Sequence, residues 1–433
     1  MEKENKLKKT IEVIYRQKID NFFAKVINLF TKHRPLKDVI LLESHNDFDC
    51  NGGALYDYLI AHHYNDRLKI VWLLKNPAPK HLPKNVKAYR LYRPSIMKSY
   101  YRCVARIIAA DDYMTQKKRP DQKEYYLTHG GITFKNVKGL IVVQDHVDYV
   151  LSPSRNYDPY ICANYSVKDP ERRMLHLGYP SNDRLFQDQA AEISKITKQK
   201  YDRVVLWLPT FRTSKKIHRT DSAAGSPLGI PLIEDLPMYA RLNDYLAAHR
   251  ALLIIKIHPV QDLSLLRITD MSNIKVLTPS LAKSLSVDLY RLMACCDACV
   301  SDYSSAAYQY LLLNRPIGFV LSDLPDYKLG FSVSNYEDFL PGEHIYAFDD
   351  LLAFLSQVVE GEGAGEGAGS EMTEDSGAGA AGEGAAATSA EGTDRGDPWR
   401  ARRTALLDFL YEYQDGNACR RLVEFMGLDS WGK

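Results

Sequence analysis

Two doubly wound α/β lobes facing each other across a cleft are the fold this sequence predicts, on three observations. Short apolar runs alternate with helical patterns from Asp38 onward, the texture of a parallel sheet with helices on both faces. That alternation begins again after a polar stretch ending near Gln199, which implies a second lobe of the same kind. Several of the runs end in polar residues suited to phosphate chemistry, and ligands in such folds bind where the carboxyl ends of strands open. At 433 residues, 45% hydrophobic and 25% charged, the chain can bury more than one core.

The first element expected is a basic amphipathic helix within residues 1–37. Ile11, Tyr15, Ile19, Phe22, Val26 and Phe30 recur at intervals of three or four among Lys6, Lys8, Lys9, Arg16, Lys18, Lys25, Lys32 and Arg34. Such a helix either lies on an anionic bilayer or packs on its own domain, and the charge pattern fits both.

Residues 38–199 form the N-terminal Rossmann-like lobe, with strands expected at Val39–Leu42, Leu68–Leu74, Arg106–Ala110 and Gly139–Val143. Residues 200–359 repeat the pattern at Val204–Leu208, Leu252–Ile257, Ala298–Ser301 and Ile317–Leu321. Residues 360–397 are Gly, Ala, Glu, Ser and Thr with almost no large apolar side chain, and read as a disordered acidic linker. A helical pattern resumes within residues 398–433, where helices are expected to pack back on the body.

Formal net charge is +2, yet the linker holds ten acids against one base, so the rest carries +11. A basic body suits phosphates or anionic lipids as partners. Seven scattered cysteines, an odd number, read as reduced thiols of a cytoplasmic protein. Cys296 and Cys299 have the spacing of a metal half-site, but no second Cys or His pair follows and their neighbours are core-like. No apolar run approaches the roughly 20 residues of a membrane span, and the N-terminus is too polar for a secretory signal.

Five segments carry the candidate chemistry. In Thr128-His129-Gly130-Gly131, followed by Lys135, a His beside paired glycines can approach a substrate closely, and imidazole titrates near neutrality as a general base should. The plainer alternative is a His satisfying a turn. Pro209-Thr210-Phe211-Arg212 follows a strand and sets Arg212 at the cleft edge, where a guanidinium grips phosphate oxygens in pairs; the alternative is a surface ion pair. The strand Ile254–Ile257 delivers His258 to its end before Pro259, with Lys256 on the same side by alternation, so both are candidates for donor phosphates, His258 otherwise being a satisfied core histidine. Ser301-Asp302-Tyr303-Ser304-Ser305 runs from a strand into a helix start, bringing hydroxyls and free N–H groups together, of which plain capping explains one. Gly178, Asn182 and Asp183 lie in a turn near the crossing between lobes.

Taken in this order, with Asn314-Arg315-Pro316-Ile317 and Asp415-Gly416-Asn417-Ala418 downstream, these segments resemble the CDP-glycerol glycerophosphotransferase family of teichoic-acid polymerases and primases. The likeness runs from about Glu43-Ser44 to the final helices. It implies a GT-B-like fold and transfer of a polyol phosphate, glycerol phosphate foremost, from a CDP-polyol to an acceptor hydroxyl with release of CMP. It further implies His129 as the catalytic base, His258 on the donor phosphates, Arg212, Ser304 and Ser305 binding them, and Asp302 orienting their loop. The run His129-Gly130-Gly131 departs from the family's usual His-Gly-Thr-Pro, and Ser181 stands where an Arg commonly follows Gly-Tyr-Pro.

The expected partners are the CDP-polyol donor, a lipid-linked or polymeric acceptor and an anionic membrane surface, without nucleic acid; the expected place is the inner face of the cell membrane. No carboxylate cluster resembles a metal cage, so no tightly bound cofactor is expected, and Mg²⁺ would come with the nucleotide. A sugar-nucleotide glycosyltransferase or epimerase of the same architecture, or an inactive membrane-associated scaffold, are the rival readings.

Overall fold

Lys37–Glu43 (β1) buries its last five residues in succession, as a strand covered on both faces must. Around it the computed structural model assembles a seven-stranded sheet with Lys69–Leu74 (β2), Val86–Arg90 (β3), Ala105–Ala110 (β4), Lys123–Tyr126 (β5), Tyr149–Ser152 (β6) and Met174–His176 (β7). The order is β3-β2-β1-β4-β5-β6-β7 and every pairing is parallel. The structure describes residues 2–112, 114–129, 131–187, 192–216, 218–222, 226–361 and 397–432, so residues 362–396 of the expected linker lie outside it.

The second sheet repeats the plan with Arg203–Trp207 (β8), Ala251–Lys256 (β9), Ile274–Leu277 (β10), Ala298–Ser301 (β11), Ile317–Val320 (β12) and Glu343–Ile345 (β13). Its order is β10-β9-β8-β11-β12-β13, again all parallel. Both sheets reverse direction of winding beside their first strand, between β1 and β4 and between β8 and β11. A crevice opens at the strand ends of such a reversal, and that is where the polar residues collect.

One expected strand is absent. Gly139–Val143 forms a turn and loop, with Leu140 and Val142 exposed, while the short and partly charged Lys123–Tyr126 takes the sheet position beside β4. A central parallel strand must be covered on both sides, and the 139–143 run is not.

The N-terminal helix, Glu2–Thr31 (α1), packs on Ile96–Val104 (α3), the helix two places on after Cys50–Ala61 (α2). Asp20, buried, pairs with the buried Lys98, whose ammonium also donates to the carbonyls of Arg90, Leu91 and Arg93. Ala24 and Thr31 are buried with Asp20, whereas Tyr15, Phe22, Val26 and Leu29 face solvent. Its most buried side chains are small or polar, with Ile27 packed partly against the domain, while its most exposed apolar side chains look outward.

At the other end, Ser305–Tyr310 (α4) follows β11, and Arg400–Leu410 (α5) and Ala418–Phe425 (α6) return over both lobes. Arg403, fully buried, donates to Asn314, and the Tyr411 hydroxyl to the Tyr308 carbonyl, both beside the second sheet. The Glu412 N–H donates to the Pro153 carbonyl beside the first.

Candidate active site

The loops after β1 and β4 build one wall. Asp111 accepts from the His45 N–H at 2.8 Å and the Gly52 N–H at 2.9 Å, which ties the chain leaving β1 to the start of α2. Burial pushes the carboxyls of Asp111 and Glu43 well up, so both tend to the neutral form. Asp112 differs: burial works against its charge, but Lys75 and His45 hold it well below the usual carboxylate range.

His129 enters this wall from the loop after β5. Asn51, in the first turn of α2, donates to the carbonyls of Leu127 at 2.8 Å and Thr128 at 3.1 Å, and accepts from the N–H and hydroxyl of Ser181. These four bonds fix the backbone just before His129, where Thr128 adopts a left-handed φ of 61°. The His129 ring stacks on His45 at 4.0 Å between centroids, and its Nδ1 lies 3.8 Å from the Cys50 sulfur. Burial, then the neighbouring His45, lowers its pKa to about 4, so the imidazole is neutral and able to take a proton at neutral pH.

The second lobe supplies the facing wall. His258 follows β9, half-buried against Phe211 at 5.1 Å between ring centroids. Its Nδ1 accepts from the Val260 N–H at 3.3 Å, which leaves the ring proton on Nε2 as a donor. Burial, then Lys135 and Lys256, lowers its pKa to about 3. Lys135 reaches across from the first lobe to Thr210 Oγ1 at 3.5 Å and lies over the rings of Tyr303 and Tyr327. Burial brings both lysine ammonium groups down to about 8, and for Lys256 it is the sole cause. A desolvated ammonium in a cleft is a seat for an anionic ligand.

The structure places the sequence-derived candidates unequally. His129, His258 and Lys256 come to the cleft, and Lys135, named in the sequence motif without a role, joins them. Arg212 does not stand at the open edge. It is buried, with Nε and Nη2 on the Asp323 carboxylate at 2.9 Å and Nη1 on Asp302 and the Thr210 carbonyl. Two carboxylates bind the guanidinium and overcome burial to hold it charged.

Asp302 also accepts from the Thr210 N–H at 2.8 Å and hydroxyl at 2.6 Å, and so orients the loop after β8. The Ser304 hydroxyl caps α4 by accepting from the Ala306 N–H, with Ser305 half-exposed beside it. In the inter-lobe turn, Gly178 has φ +79° and packs against Ala418, where a side chain would crowd Ala418 at 3.1 Å. Asn182 accepts from Gln309, and Asp183 accepts from the N–H groups of Ala418 and Cys419 at 2.8 Å, capping α6. Gly178 and Asp183 thus hold α6, and Asn182 ties the turn to α4.

Sequence reasoning missed His45, Asn51, Lys75, Asp111 and Asp112. Their signal was available in the strand-end rule already applied elsewhere, since His45 follows β1 and Asp111-Asp112 follow β4 directly.

A model of the CDP-glycerol:poly(glycerophosphate) glycerophosphotransferase family matches residues 26–367. The chain is 23% identical over 357 residues to the teichoic acid glycerol-phosphate primase of Bacillus subtilis (strain 168), spanning 76% of this chain and 86% of that protein. It is 29% identical over 212 residues to the teichoic acid ribitol-phosphate polymerase TarL of Staphylococcus aureus (strain NCTC 8325 / PS 47), spanning 47% of this chain but 34% of that one. The solved structure of the wall teichoic acid polymerase TagF superimposes with a TM-score of 0.66 at 19% identity, covering 98% of each chain, so the two share the GT-B-like fold.

Proposed function

The chain belongs to the CDP-glycerol:poly(glycerophosphate) glycerophosphotransferase family, and from that premise we propose that it transfers glycerol phosphate from CDP-glycerol to an acceptor hydroxyl of a lipid-linked or polymeric teichoic-acid precursor. The observation that carries this reading is the pairing of Lys135 and Lys256, amines at about 8, with a histidine whose remaining proton is on Nε2. Three hydrogen-bond donors, two of them cationic, match the charge of a donor diphosphate.

In the proposed reaction the acceptor oxygen attacks the β-phosphorus in line as its proton passes to His129. The new O–P bond forms while the bond from phosphorus to the CMP oxygen breaks. Lys135, Lys256 and His258 stabilise the charge left on the phosphoryl oxygens and on CMP. Among the described residues no three His, Cys, Asp or Glu side chains converge as a metal seat, so Mg²⁺ in this reading is carried by the donor's phosphates.

The outward stripe of α1 supports a second part of the proposal, a peripheral contact with the anionic inner face of the cell membrane. Phe22, 62% exposed, and Leu29, 65% exposed, lie beside Lys18 and Lys25, and Lys117 and Lys118 line the adjoining groove. No described helix is long and apolar enough to cross a membrane.

The deciding experiment is CMP release from the purified chain given CDP-glycerol or CDP-ribitol, with and without an acceptor-bearing membrane fraction. Acceptor-dependent CMP release, abolished in His129→Ala, is the expected result; folded protein that releases no CMP from either donor with varied acceptors overturns it.

A further inference from the structure

His129 has an uncommon setting for a base. Bases of this type usually have a carboxylate hydrogen-bonded to the far nitrogen, which fixes the ring and its tautomer. Here, among the described residues, the contact at Nδ1 is the Cys50 sulfur at 3.8 Å, a weak partner. The ring plane must be held by something else, and the flat surface against it is His45.

His45 is itself pinned on several sides. Its N–H donates to Asp111 at 2.8 Å, its carbonyl accepts from Lys75 at 2.8 Å, and its Nδ1 stands 3.5 Å from Asp112, an ion-pair distance. Lys75 completes the arrangement by pairing with Asp112 as well. The three groups come from the ends of β1, β2 and β4, so the shelf is anchored in the sheet and not in a loose loop. From it the His45 ring meets His129 at 4.0 Å between centroids with 32° between planes. A ring contact of this kind holds the plane of its neighbour.

We propose that His45 is a positioning residue for transfer, a shelf held by Asp111, Asp112 and Lys75 that fixes the plane of His129. This rests on His129 acting as the base. The groups facing His129 are His45, Asp49 and Cys50 from the β1–α2 loop, Lys75 after β2, Asp112 after β4 and His258 across the cleft. Two of them, Asp49 and Asp112, favour the imidazolium; His45 and Lys75 oppose it.

The shape and the charge of His45 are separable by substitution. His45→Phe keeps a flat ring and removes the titrating group, whereas His45→Ala removes both. With CDP-glycerol and acceptor, His45→Ala is expected to lose about 10- to 100-fold in kcat with donor KM within about twofold, the scale of a misplaced catalytic group. His45→Phe is expected to recover most of kcat, with the acid limb of kcat/KM moved to higher pH because a competing positive charge is gone. Imidazole NMR titration of the donor-free protein reads the same shift on His129 without turnover.

Near-normal kcat in His45→Ala, equal damage in both variants, or an unmoved His129 titration in His45→Phe each overturns the proposal. His129→Ala assayed in parallel separates the two ideas. If it stays active, the base assignment has failed; if it is inactive while His45→Ala is normal, only the shelf has failed.

Discussion

Lys135 and Lys256 sit half-buried in a cleft with their ammonium groups at about 8, well below the ordinary lysine value near 10.4. Only the protonated form attracts a diphosphate, and a bound diphosphate in turn holds the proton on. Donor affinity is therefore expected to fall as pH rises through about 8, with kcat/KM declining on that limb while kcat at saturation changes less. On the acid side the free protein should keep kcat/KM until pH approaches the His129 value of about 4, not 6.5. Lys256→Met should raise the donor KM or Kd by about ten- to a hundredfold, the loss of one charge-assisted bond worth roughly 1.5–3 kcal/mol. Isothermal titration with CDP-glycerol across pH 6 to 10 reads both effects; a flat profile in that range would remove the lysines from the donor seat.

At the scale of elements, the loops after β8, β11 and β12 are tied by one buried guanidinium. Arg212 binds Asp302 and Asp323, and Asp323 also accepts from the Tyr303 hydroxyl at 3.0 Å. Asp323→Ala leaves the guanidinium paired with Asp302 but strips the hydrogen bonds of Nε and Nη2, so it should destabilise the protein by about 1–3 kcal/mol, measured as a lower urea midpoint at unchanged slope. Burial raises the Asp323 pKa but the Arg212 pair more than offsets it, so the folded value is depressed. Its contribution is thus present above the unfolded carboxylate pKa near 3.9 and is lost as pH falls through the lower folded value. The sequence singled out Arg212 after a strand, but not its partners. Asp302 and Asp323 stand 90 and 111 residues away, and only folding shows that they take up the guanidinium.

Over the whole molecule, the outward side of α1 is where the proposed membrane contact is to be tested. Tyr15, Phe22, Val26 and Leu29 follow a helical spacing that either reading of the sequence allowed, and the side that meets α3 is the one bearing Asp20 and Ala24. Vesicles containing phosphatidylglycerol should therefore float the protein, zwitterionic vesicles less so, and added salt should weaken the capture. The double variant Phe22→Ser, Leu29→Ser should lose flotation while still releasing CMP with a soluble acceptor. Wild-type and double variant floating alike would place the membrane contact elsewhere.

What the sequence determined by itself was local and periodic. The strands at Val39–Leu42, Arg106–Ala110, Val204–Leu208 and Ala298–Ser301 were legible because a doubly covered strand must be continuously apolar; His258 stood out because it follows such a run, and His129 because paired glycines follow it. The tertiary structure alone decided which apolar run became a strand, since Gly139–Val143 has the right composition but no cover while Lys123–Tyr126 has cover in spite of its charges. It alone also decided which cations stay open to a ligand. Lys135 and Arg212 are both basic residues in loops at the cleft, and what separates them is that Asp302 and Asp323 bond the guanidinium directly while acting on Lys135 only through space or not at all, a pairing that no local pattern in the chain encodes.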